Sequence, residues 1–194
     1  MTRTQPQLST AMLDAAVDLL GRAGQQGVVE VQGASMMPTF RDVPRVAVEF
    51  EVSDPSFGDV LVFRQRGILV VHRLIGRGRR YRMRGDGTIG FDPWLEPSDV
   101  VGRVLALEQG ERWIDVRGPL ARLYGRAVAF HNLFWGGLGA ALARWGGRVG
   151  DDWRWRLGRL DQFTLRIAHA LFFRLCHRDA VDIMNPSNPP SRDE

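Results

Sequence analysis

Lysine never occurs in these 194 residues, so all 26 basic side chains are arginine. No lysine can therefore serve as a general base. Cysteine is nearly as scarce. Cys176 alone excludes an internal disulfide framework and a Cys-x₂-Cys metal site, and it suits a reducing cytosol. Met1 to Ser9 is polar and lacks the apolar core of a signal peptide, and the first 32 residues hold no hydrophobic span, so a cytoplasmic protein is the expectation. No helix-turn-helix, zinc-finger or base-stacking aromatic pattern appears. A net charge of +4 and a pI near 10.4 would permit contact with nucleic acid, but acids are interleaved with the arginines and nucleic acid is not expected as a partner.

What remains is an ordinary globular composition. At 44% hydrophobic and 25% charged, a chain of this length buries roughly 70% of its unfolded surface, enough for one domain and an appendage. Periodicity divides it into parts. In residues 1–27, Met12, Ala15, Ala16, Leu19 and Leu20 recur at helical spacing behind Thr10 as a cap, with Gly21 and Gly24 as stops. Residues 28–117 read as short valine-rich strands separated by Gly, Pro and Asp: 28–32, 45–51, 59–64, 68–75, 80–84, 100–108 and 112–116. This predicts a mainly β, antiparallel domain of barrel-like or sandwich-like form. Residues 118–180 return to helical periodicity, with helices expected over 120–145 and 152–177, and 181–194 reads as a polar disordered tail.

The β part holds the chemistry. Gly33-Ala34-Ser35-Met36-Met37-Pro38-Thr39 sets a serine between a flexible glycine and a proline-ended turn, with a strand-like run on each side. Ile68-Leu69-Val70-Val71-His72-Arg73 ends an apolar run on a histidine, and Gly85-Asp86-Gly87 forms a turn with Asp92 close behind. A serine hydroxyl is a poor nucleophile until a base takes its proton. A neutral imidazole, with a reference pKa near 6.5, does so at neutral pH and contributes roughly 10²- to 10⁴-fold. A carboxylate on the far ring nitrogen fixes the tautomer and stabilises the imidazolium. Ser35 and His72 are the candidate pair, and Asp92 and Asp86 compete for the third place. Backbone N–H groups around Gly33 and Ser35 would supply the oxyanion donors, and Met36, Pro38 and Phe40 are expected to shape a substrate groove. His131 and His169 sit in helical patterns with no second ligand at metal spacing, His177 lies near a helix end where the dipole favours a positive charge, and no metal or cofactor is implied.

The order of these segments, together with Gly58-Asp59-Val60-Leu61-Val62-Phe63 and Val100-Val101-Gly102-Arg103-Val104, resembles the serine peptidase superfamily that contains type I signal peptidases and self-cleaving SOS-type repressors. Members of one branch carry a lysine at the place filled here by His72. The His72-Arg73 pair resembles instead the branch of the endoplasmic-reticulum and archaeal signal peptidases. That resemblance implies a Ser35–His72 peptidase with Asp92 as the orienting carboxylate and Asp86 as a supporting acid of the turn. It also implies an extended precursor or leader peptide as substrate, with small residues before the scissile bond. Gly87 and Phe91 stand where the family usually has a second acid or an asparagine. A non-catalytic or regulatory interaction module on the same fold is the alternative.

The C-terminal helices admit several readings. Ala127 to Ala143 carries no formal charge over seventeen residues, at the short limit for a bilayer span, and includes His131 and Asn132. In the next helix Trp153, Leu157, Leu160, Ile167, Leu171 and Leu175 share one side, with Arg159, Arg166, Arg174 and Arg178 offset. Packing on another helix or on a partner protein is the expectation, with peripheral contact at a membrane surface as the alternative.

Overall fold

The computed structural model describes residues 26–41, 43–50, 52–88, 90–110, 112–145 and 152–176. The expected N-terminal helix over 10–23 and the polar tail lie outside these residues. Among them the chain forms strands β1 (Gln26–Glu30), β2 (Arg45–Phe50), β3 (Val60–Gln65), β4 (Ile68–Gly76), β5 (Arg82–Arg84), β6 (Val100–Gln109) and β7 (Arg112–Asp115). Two long helices come after them, α1 (Pro119–Trp145) and α2 (Asp152–Cys176).

The strands form one antiparallel sheet in the order β1-β2-β6-β3-β4-β5, with β7 on β6. β6 divides one edge between β3, which pairs with Val100–Arg103, and β7, which pairs with Ala106–Gln109. The sheet bends at bulges near Ala47/Val48, Val62/Phe63 and Leu74/Gly76. It does not close into the barrel that the strand pattern suggested. β1 and β5 end the order without meeting, and a β5 of three residues offers few backbone groups to a closing partner.

Both faces of the sheet are covered, because residues alternate sides along a strand. Val46, Val48, Val60, Val62, Val104 and Leu107 enter one core with Met36 and Phe40. Leu61, Phe63, Leu74, Tyr81 and Met83 form the other. His72 shares a side of β4 with Leu74 and lies near the Phe63 ring, 6.0 Å between centroids. Arg73 therefore points to the opposite side.

α1 lies against the sheet where glycine meets glycine. A Cβ on Gly58 would come within 2.7 Å of the Gly125 backbone, so only a bare backbone allows this approach. Ala121, Val128, Ala129 and Asn132 are buried on α1. α2 packs beside it through stacked Tyr124 and Phe172 rings, 4.1 Å between centroids, and a His131–Thr164 hydrogen bond of 2.7 Å. The expectation of helix-on-helix packing holds, and the pair is docked on the β domain. No helix among the described residues is long and apolar enough to cross a membrane.

Candidate active site

Ser35 opens a turn just beyond β1. Backbone hydrogen bonds from Met37 N–H to the Ala34 carbonyl (3.1 Å), Phe40 to Met36 (3.0 Å) and Arg41 to Pro38 (3.1 Å) wind the chain tightly, and the Met37–Pro38 peptide is cis. Gly33 has a φ of 98°, in the left-handed region that favours glycine, and is exposed. The turn carries Met36 and Phe40 into the core, at 3% and 7% exposure, and buries Pro38 as well. These residues, expected to shape a groove, instead anchor the serine turn to the sheet.

His72 is held by the β3–β4 ladder opposite Leu61 and is 7% exposed. Its Nδ1 lies 2.6 Å from Asp92 Oδ2. A carboxylate only accepts, so Nδ1 carries a proton, and in the neutral imidazole Nε2 keeps its lone pair. Asp92 reaches this place because its N–H donates to the Met83 carbonyl (3.0 Å), folding the loop after β5 back along the strand beside β4.

The Gly85-Asp86-Gly87 turn lies between the Ser35 backbone and the His72 ring. Gly87 N–H donates to the Ser35 carbonyl at 2.7 Å. A Cβ on Gly85 would collide with that carbonyl oxygen and come within 2.9 Å of His72 Nε2. The free imidazole nitrogen and the Ser35 backbone thus press on one glycine from two sides, closer than any side chain would permit.

Asp86 does not touch His72. It is fully buried, and each carboxylate oxygen accepts twice. Oδ2 receives Thr39 Oγ1–H (2.6 Å) and Arg73 Nη2–H (2.6 Å), and Oδ1 receives Arg73 Nε–H (2.9 Å) and Asn132 Nδ2–H (2.7 Å). Burial pushes the Asp86 carboxyl up, but the Arg73 charge and the donated hydrogen bonds outweigh it and hold the pKa below the usual carboxylate range. The Asp86 charge likewise keeps buried Arg73 firmly protonated against the effect of burial. Thr39 ties this centre to the serine turn, Arg73 to the strand that bears His72, and Asn132 to α1.

A second buried arginine repeats the pattern. Arg84 donates from Nε to the Thr88 carbonyl (2.8 Å), from Nη1 to the Asn132 carbonyl, and from Nη2 to Asp161 Oδ2 on α2 (2.6 Å). Phe91, next to Asp92, lies against the α1 backbone where a Cβ on Gly136 would overlap its ring. Arg82 sits over the Phe91 and Trp94 rings, at 4.9 and 4.7 Å. The helices thereby support the loop that presents Asp92.

Sequence reasoning missed Thr39, Asn132, Arg84 and Asp161 as parts of this assembly. One signal was available: an asparagine inside a charge-free apolar helix needs a partner when buried. Tyr124 completes the surroundings, its hydroxyl 3.3 Å from Thr39 Oγ1 and its pKa pushed up to about 12 by burial. Burial pushes His169, against Tyr124, down to about 4. No group of three or more His, Cys, Asp or Glu side chains suited to a metal ion occurs among the described residues.

A serine turn anchored in the core, a histidine oriented by a carboxylate and a predominantly antiparallel sheet are features of a serine peptidase-type domain. Residues 3–88 match the family described as Peptidase S24-like. That family belongs to the serine peptidase superfamily that includes signal peptidases and self-cleaving repressors, and the likeness rests on those residues. Ser35, His72 and Asp86 lie within the matched residues, whereas Asp92 and both long helices lie beyond them. No curated protein and no solved structure matches the chain.

Proposed function

We propose that the protein is a serine endopeptidase in which Ser35 is the nucleophile, His72 the general base and acid, and Asp92 the orienting carboxylate. The observation that carries this reading is the 2.6 Å contact of His72 Nδ1 with Asp92, which leaves Nε2 facing the glycine that borders Ser35. In acylation the Ser35 hydroxyl proton passes to Nε2 as Oγ attacks the substrate carbonyl carbon. The resulting oxyanion is met by backbone N–H groups of the serine turn. Collapse breaks the peptide C–N bond, and the imidazolium returns its proton to the leaving amine. Water, deprotonated by the same nitrogen, then hydrolyses the ester.

The substrate in this reading is an extended precursor or leader peptide, with small residues before the scissile bond as the superfamily resemblance implies. The test is mass-spectrometric profiling of a diverse peptide library with wild type, Ser35→Ala and His72→Ala. Cleavage by wild type, reduced on the order of 10⁴-fold or more in each variant, is expected. Equal cleavage by Ser35→Ala and wild type would sink the assignment. Inert wild type with an unchanged cellular phenotype for Ser35→Ala would favour a non-catalytic module.

A further inference from the structure

We propose that the outward face of the α1–α2 pair is a docking surface for an anionic lipid membrane. α1 buries Ala121, Val128 and Asn132 and turns Leu123, Phe130 and Phe134 the other way, each 64% exposed, with the Phe130 ring also touching Phe57 at 4.9 Å between centroids. Their spacing of seven and four residues makes them one helical stripe. α2 does the same with Leu160, Phe163 and Ile167, which are about half or more exposed, while Asp161, Leu165 and Phe172 are buried. The His131–Thr164 hydrogen bond links the helices at the level of both stripes. Six large apolar side chains on one helix pair exceed the scattered exposure normal on a soluble surface.

Charge selects the occupant. α1 contains no Asp or Glu, and of the two acids of α2 Asp152 stands at its first residue while Asp161 is turned inward onto Arg84. Arg122, Arg126 and Arg166 are exposed on the two helices. A second copy of the chain laid on this face would set these guanidinium groups against their own kind. Anionic headgroups would neutralise them while the Phe and Leu side chains enter the acyl boundary, the arrangement of an interfacial helix that lies on a bilayer without crossing it.

The test is co-sedimentation of the full chain with phosphatidylcholine vesicles, with and without about 30% phosphatidylglycerol to supply a negative surface potential. Partitioning at least about tenfold stronger to the anionic vesicles, weakened by salt, is expected. Arg122→Gln/Arg126→Gln/Arg166→Gln should lose on the order of 100-fold in anionic binding, and Leu123→Ser/Phe134→Ser/Phe163→Ser should lose binding to either vesicle. All these residues are exposed, so unchanged thermal melting identifies variants that remain folded. The readout is lipid binding and does not depend on peptide cleavage. No sedimentation of wild type, equal binding to both vesicles, or undiminished binding by the arginine variant overturns the proposal. So does a dimer in analytical ultracentrifugation that the serine variant abolishes.

Discussion

Replacing Asp86 by asparagine changes almost no volume and removes one charge, which makes it a sharp probe of the centre beneath the serine turn. In the native protein both carboxylate oxygens face two donors each: Thr39 and Arg73 Nη2 on one, Arg73 Nε and Asn132 on the other. An amide has one oxygen and one NH₂ group, so in either orientation its nitrogen confronts two N–H or O–H donors. Arg73, buried and always charged, also loses its counterion. Breaking such a pair from one side costs about 3–5 kcal/mol, a large share of the roughly 5–15 kcal/mol that holds a domain together. The loss is measured by urea unfolding followed through tryptophan fluorescence, with the slope unchanged. The double substitution Arg73→Met/Asp86→Leu should cost less than Asp86→Asn alone, because it leaves no unpaired charge. Acid adds a second signature. Since the folded state lowers the Asp86 pKa, its stabilisation is present above the unfolded value near 3.9 and is lost as pH falls through the folded value. The gap between wild type and Asp86→Asn should therefore narrow below about pH 4. A loss under about 1 kcal/mol at neutral pH, or a gap that widens in acid, would refute the reasoning.

Gly85→Ala places a methyl group between the Ser35 carbonyl and His72 Nε2 and should lower kcat/KM by about 100-fold or more, at a stability cost of roughly 1–3 kcal/mol. Steady-state kinetics beside a thermal melt separates the two effects, and unimpaired turnover would contradict the proximity of serine and histidine. Asp92→Asn should reduce kcat on the order of 10³- to 10⁴-fold while leaving KM nearly unchanged, since it disturbs the tautomer of His72 and not the peptide-binding surface. His169 is neutral in the folded state down to about pH 4, whereas an unfolded histidine protonates near 6.5. The unfolded chain binds the extra proton in that window, so stability should fall with pH between about 6.5 and 4. The pH dependence of the melting temperature should be shallower in His169→Gln over this interval.

The strands were legible because valine-rich runs end at glycine, proline or aspartate throughout residues 28–117. Their register was less so. β1 spans Gln26–Glu30, two residues earlier than the apolar run from Val28 suggests, because pairing with β2 fixes Gln26 opposite Glu49 and Glu30 opposite Arg45. Ser35, His72 and Asp92 stood out as chemistry-bearing groups beside turns and strand ends. The choice between Asp92 and Asp86 did not, since it depends on which side of β4 each reaches: Asp92 lies against His72, and Asp86 lies against Arg73 on the opposite side. Met36 and Phe40 looked available to substrate for the same reason, because sequence alone does not say which way a tight turn points its apolar residues. The link from Asp86 to Asn132 spans 46 positions and two changes of secondary structure, and no local pattern encodes a contact of that length.

That long link bears on where the molecule can be cut. The residues that resemble the S24-like peptidases stop at 88, which would suggest a compact module separable from the strands and helices beyond it. Yet Asp86, inside that stretch, takes a hydrogen bond from Asn132, and Arg84 takes its counterion from Asp161. A chain shortened before α1 would leave an arginine and a carboxylate under-partnered beside the Gly85-Asp86-Gly87 turn. Recognisable ancestry and buried charge pairing therefore have different limits in this protein, and the shortest chain that keeps both arginine–aspartate centres fully partnered extends into α2.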